Sequence, residues 1–173
     1  MLAKNDFNII TITNNDGCFD LQFRKDTRHE RTNSPTYYRW KAQFIVTSPL
    51  GRSTGEAKDN IKILEKIKSE LECGEVTVSK DQARFSVQKI SDVNEIIVPF
   101  FRKYHLADKK KKDFELWAKG VEIIYKNKGK SLASWKKNDL CTLIEIHKSS
   151  AKYKSKPREP KWFAMAKTLS RTK

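Results

Sequence analysis

Phe7-Asn8-Ile9-Ile10-Thr11-Ile12-Thr13-Asn14-Asn15-Asp16-Gly17-Cys18-Phe19 is the stretch whose reading decides the fold. Phe7, Ile9 and Ile12 recur at roughly helical spacing, and Gly17 suits a helix end. Against that, Ile9 to Thr13 are all β-branched, and Asn14-Asn15-Asp16-Gly17 is turn chemistry, so a β-hairpin fits too. Local signals leave both open and put the hairpin slightly ahead.

Working outward, Cys18–Lys25 alternates, with Phe19, Leu21 and Phe23 on one side and Asp20, Gln22 and Arg24 on the other. Thr36–Thr47 is the next strand: Tyr38, Ala42, Phe44 and Val46 share one face, and Tyr37, Arg39, Lys41, Gln43 and Ile45 the other. Ser48–Ala57 contains Pro49, Gly51 and Gly55 and reads as a ten-residue loop. Ile61, Leu64, Ile67 and Leu71 form a helical stripe over Lys58–Glu72, closed by Cys73-Gly74 as a C-cap. Glu75–Ser79 and Ala83–Lys89 are a second strand pair. Ser91 is expected to cap a helix that Pro99 bends or ends. Lys109–Asn127 and Trp135–His147 are amphipathic helices.

The order (helix or strand)–β–β–α–β–β–α–α–α predicts an α+β layer, an antiparallel four-stranded sheet with helices on one face. The other face is polar and basic, with Gln22, Arg24, Arg39, Lys41, Gln43, Thr77, Ser79, Arg84 and Ser86 on it. Antiparallel sheets often leave such a face to solvent. The charge balance argues for a ligand: 36 basic against 21 acidic residues give +15. That excess favours a polyanion, nucleic acid before anionic membrane. No apolar run reaches the ~20 residues a membrane span requires. The start of the chain lacks both a signal-peptide apolar core and an Arg-rich transit pattern.

Residues 148–173 carry nine basic residues and one acid, +8 of the +15, interleaved with Tyr153, Trp162 and Phe163. Basic side chains contact phosphates and aromatics stack on bases, so Lys154, Lys156, Arg158 and Lys161 are binding candidates. Trp162, Phe163, Met165 and Leu169 also suit a short docking helix. Residues 1–150 are read as the folded domain and 151–173 as a basic extension. Cys18, Cys73 and Cys141 are odd in number and scattered, which excludes a disulfide framework and zinc spacing and suits buried small hydrophobes. His29, His105 and His147 are likewise isolated.

One run carries more information: Ile97-Val98-Pro99-Phe100-Phe101-Arg102-Lys103-Tyr104-His105-Leu106, then Lys109-Lys110-Lys111-Lys112-Asp113-Phe114 and Trp117. It resembles the single-motif LAGLIDADG homing endonuclease and maturase family. Asn60–Lys66 with Gly74 looks like that family's second helix and glycine, and Asp16-Gly17-Cys18-Phe19 like the end of its signature helix entering the first strand. Leu140–His147 sits where the family has a late helix. The resemblance spans about residues 5–150 and turns the opening stretch from a hairpin into a helix, giving αββαββα.

The resemblance implies further expectations. The signature helix packs against a second copy and delivers one acid per copy to the metals that cleave DNA. Asp16 keeps that acid, and Asn14 replaces the other usual one. Ile10 and Thr11 stand where small residues are usual, so they are expected to obstruct a second helix. Ser48 is nearest to a polar residue that usually follows the second strand. Lys109 or Lys110 is the candidate catalytic lysine, Lys110 being preferred, and Lys109 and Lys111 join the binding set. Two readings follow. In the first, cleavage has been lost and the chain binds structured organellar RNA, ribosomal or intronic, in a mitochondrion or plastid, with ribosomal proteins as neighbours and no cofactor required. In the second, a homodimer uses Mg²⁺ to cut a near-palindromic DNA site.

Overall fold

The computed structural model describes residues 4–26, 37–50, 54–150 and 163–171. The opening stretch is a helix: α1 spans Lys4–Asp16, and strand β1 (Gly17–Asp26) follows with no intervening residue. Then come β2 (Tyr37–Pro49), α2 (Thr54–Leu71), β3 (Glu75–Val78) and β4 (Gln82–Val87). A helical segment follows as α3 (Ile90–Asp92), a π turn (Val93–Ile97) and α4 (Val98–Lys103). The chain ends in α5 (Asp108–Lys126), a 3₁₀ turn (Leu132–Ser134), α6 (Lys137–Ser150) and α7 (Phe163–Arg171).

The four strands form one antiparallel sheet in the order β1-β2-β4-β3. Alternation sends Phe19, Leu21 and Phe23 of β1, Trp40, Ala42, Phe44 and Val46 of β2, and Ala83, Phe85 and Val87 of β4 to the helix side, where all are buried. The helices close over them. The Phe19 ring lies 5.5 Å from Phe44, 5.3 Å from Phe101, 5.1 Å from Phe114 and 5.1 Å from Trp117, so α4 and α5 meet the sheet on one aromatic cluster. The Trp117 indole N–H donates to the Asp20 carbonyl at 3.0 Å, which gives the buried ring its polar partner.

Several local expectations change. The loop after β2 is short, because the ladder continues to Pro49 opposite Gln82 and α2 begins at Thr54. The left-handed turn after α2 is taken by Glu72 (φ 51), one residue before the expected Cys73-Gly74 cap; Gly74 follows at φ 84, where a Cβ would stand 2.6 Å from the Phe85 ring. Ser91 does not cap a helix: α3 starts beyond Lys89 in extended backbone, and Ser91 is buried inside it. Pro99 neither ends nor breaks the helical segment. It sits in the first turn of α4, directly after the π turn, where a missing N–H is tolerated. At the C-terminus α7 packs on α6 and buries Ala166; Trp162 and the side chains of Phe163, Met165 and Leu169, expected to dock there, lie outside what is described. No helix among the described residues is long and apolar enough to cross a membrane.

Candidate nucleic-acid interface

The corner between α1 and β1 holds Asp16. A Cβ on Gly17 would stand 2.7 Å from the backbone of Thr13, so the helix reverses into the strand only with glycine there. Two long-range bonds stitch the start of α5 to this corner. The Asn14 side-chain oxygen accepts from the Ala107 N–H at 3.0 Å, and the Lys110 ammonium donates to the Gly17 carbonyl at 2.6 Å. Asp16 is exposed beside them. Of the lysines 109–112, Lys110 is the one with a bond to the corner; Lys109 and Lys111 are exposed on the first turn of α5.

Ile10 is only 8% exposed and belongs to this chain's own core, so it is not the obstruction expected on the outer surface of α1. Thr11 is exposed. Ser48 falls opposite Ala83 and so shares the helix side of the sheet; Ile45 and Thr47 are the β2 residues on the outer face at the Asp16 end.

The outer face is ordered in rungs. Along β1 and β2 the opposed pairs are Cys18 with Ile45, Asp20 with Gln43, Gln22 with Lys41 and Arg24 with Arg39. On the other half of the sheet, Arg84 stands between Thr47 and Thr77. The structure therefore brings Gln22, Arg24, Arg39, Lys41, Gln43, Thr77 and Arg84 onto one surface, as their alternation predicted. Ser79 departs from that set: β3 ends at Val78, and the Ser79 hydroxyl donates to the Gln82 carbonyl at 3.0 Å within the β3–β4 turn. Lys154, Lys156, Arg158 and Lys161 lie outside the described residues.

This face is more tightly organised than a row of solvated side chains. Lys41 is 9% exposed and donates to the Gln88 side-chain oxygen, while the Gln88 amide donates to the Ser86 hydroxyl at 3.2 Å. Asp20 accepts from the amides of Gln22 at 2.5 Å and Gln43 at 2.8 Å on a single oxygen, Oδ2. Sequence reading missed Asp20 and Gln88 as parts of the site. Asp20 has the outward parity of its strand but the wrong charge for a polyanion, and Gln88 follows the last residue of β4.

A divalent ion needs several oxygen ligands. At this corner one chain offers a single carboxylate, Asp16, and no group of three or more potential ligands occurs among the described residues. Asp16 would be this chain's carboxylate ligand to a magnesium ion there, with waters and substrate phosphate oxygens completing the shell. His105 is exposed, His147 is half-buried, and His29 lies outside the described residues. Cys73 is buried, and that burial, with Asp92 nearby, pushes its thiol up to about 11. Cys18 and Cys141 are half-buried rather than enclosed.

The architecture matches known proteins. The LAGLIDADG homing endonuclease I-SmaMI bound to cleaved DNA superposes with a TM-score of 0.70 at 18% identity, over 96% of this chain and 49% of that one. I-TnaI, a homing endonuclease, gives 0.67 at 19% identity over 99% of both chains. I-LtrWI bound to target DNA gives 0.65 at 22% identity over 84% of this chain and 44% of that one. The chain thus spans about half the length of I-SmaMI and I-LtrWI and the full length of I-TnaI. No curated protein matches the sequence. The family model for LAGLIDADG endonuclease matches residues 12–121, from the last turn of α1 through most of α5, and the chain belongs to that family.

Proposed function

We propose that the chain binds duplex DNA along the outer face of its sheet, as a homing-endonuclease-type fold in which one copy carries half of a cutting centre. The observation that supports this most is the Arg24–Arg39 pair. The two guanidiniums stand side by side on the outer face, and a phosphate or a guanine edge accepts from both. From Gly17 to Arg24 the face runs for roughly 24 Å, about seven base-pair steps. Arg84 supplies basic charge at the Asp16 end, so both ends of the face attract phosphates. The relatives seen with DNA share this fold, which makes DNA the ligand of choice.

Cutting is a property of two chains in this reading. Each copy brings one Asp16 to the corner, and two of them meeting would set a pair of carboxylates beside the scissile phosphates. A lone copy is a binding protein.

Fluorescence anisotropy with duplex DNA and with folded RNA, at several salt concentrations, tests the ligand. Binding to DNA that weakens with salt, its slope falling by about one in Arg39→Ala, supports the reading. Tighter binding to folded RNA at the same salt replaces DNA with RNA as the ligand. For cutting, Mg²⁺-dependent cleavage by a two-chain species, abolished in Asp16→Asn, is expected. A monomer that cuts, or cutting by Asp16→Asn, ends the shared-centre reading.

A further inference from the structure

We infer that Asp20 is a positioning residue for base recognition: it turns the amides of Gln22 and Gln43 so that both present acceptor oxygens to bases carrying an exocyclic amino group. The inference rests on the outer sheet face being the nucleic-acid surface, and it names what that face reads.

A carboxylate only accepts hydrogen bonds, so both glutamines have to turn their nitrogens toward Asp20 Oδ2, at 2.5 and 2.8 Å. Their side-chain oxygens then point the other way. Neither oxygen has a hydrogen-bond partner among the described residues. Gln43 is only 5% exposed, so its rotamer is held by its surroundings. The face therefore carries two fixed acceptors from neighbouring strands around one carboxylate, followed one rung outward by the Arg24–Arg39 pair, which only donates.

In a major groove, an acceptor selects the amino group of adenine or cytosine, and arginine selects the O6 and N7 acceptors of guanine. Gln22 and Arg24 are two residues apart, roughly 7 Å along the strand, or about two base-pair steps. The arrangement predicts an adenine or cytosine about two steps from a guanine on the strand being read. It also accounts for an acid on a surface meant for a polyanion. Asp20 costs affinity for every DNA and contributes discrimination between DNAs.

The test is selection of bound sequences from randomised duplexes by the full chain, with wild type, Asp20→Ala and Gln22→Leu compared and folding followed by thermal melts. Wild type is expected to prefer adenine or cytosine roughly tenfold at the position Gln22 reads and guanine about two steps away. Asp20→Ala is expected to bind unselected duplex more tightly than wild type, to lose the adenine or cytosine preference, and to keep guanine. Gln22→Leu is expected to lose the same preference with no gain in unselected affinity. An Asp20→Ala protein that keeps the full preference overturns the inference, as does wild-type binding with no preference at that position; either leaves the binding surface standing. A folded chain that binds no duplex overturns both. If Asp20→Ala does not fold, Gln22→Leu decides alone, and a retained preference overturns the inference.

Discussion

The two faces of the sheet are built from the same strands by alternate residues, and they do different work. On the inner face, Phe19 touches Phe44, Phe101, Phe114 and Trp117, and Phe19, Leu21 and Phe23 of β1 and Ala83, Phe85 and Val87 of β4 are all buried. Its contribution is apolar area removed from water, which is non-directional and large. On the outer face, Asp20, Gln22, Gln43, Lys41 and Gln88 are held by hydrogen bonds whose net worth for folding is small. What they add is direction: fixed donors and acceptors at rungs set by the ladder. Stability and recognition are separated by one residue of strand register.

Substitutions can test that separation, the largest effect first. Phe44→Ala removes a fully buried ring from the aromatic cluster and is expected to cost ~4 kcal/mol in urea denaturation. A loss below ~1 kcal/mol would mean that the inner face is not what holds the sheet. Gly17→Ala forces a methyl into the Thr13 backbone, and ~2 kcal/mol is expected as α1 is levered off β1. If Asp16 matters to cutting, that variant should lose activity before it loses fold, which a melt and a cleavage assay on one sample would separate.

Cys73 probes the inner side by pH. Its thiol titrates at 9.0 when unfolded and about 11 in the fold, so the folded chain holds the proton longer. Its contribution to stability is complete below pH 9 and is lost as pH rises toward 11. Denaturation midpoints across that window should fall in wild type and fall less in Cys73→Ala.

Arg39→Ala belongs to the other face. Stability is expected to move by no more than ~0.5 kcal/mol, because a like-charge pair is relieved as contacts are lost. DNA binding should weaken, and a stability loss as large as that of Phe44→Ala would erase the distinction between the faces. Smallest is Lys62→Gln on α2. Lys62 and Asp59 form an exposed pair at 3.6 Å, and its removal is expected to change stability by ~0.3 kcal/mol or less and binding not at all.

Much of this was legible from residue order. Alternation in β1, β2 and β4 placed the inner and outer residues correctly, because a strand has only two sides and an aromatic residue on the wet side is costly. The run from Pro99 to Trp117 carried the family, and with it the helical reading of residues 7–16. Elements bounded by unusual backbone were less legible. A left-handed Glu72 has no sequence signal, and a π turn that lets a helix continue through Pro99 depends on packing against the sheet. At the site, the lysine run allowed Lys109 or Lys110, and only the approach of α5 to the α1–β1 corner places Lys110 on the Gly17 carbonyl.

By itself the sequence determined that an acid precedes a glycine at the entrance to an alternating strand, that the outward residues are basic and polar, and that the chain has charge for a polyanion. These follow from residue type and from the period of two. Tertiary contacts alone turn Ile10 into this chain's own core and set Asp20 between two glutamines from neighbouring strands. Propensity over thirteen residues is weak against packing on a sheet, so the helix is settled by the contacts α1 makes with β1 and β2. A cross-strand hydrogen bond between residues 20 and 43 is settled by register, which no local window contains.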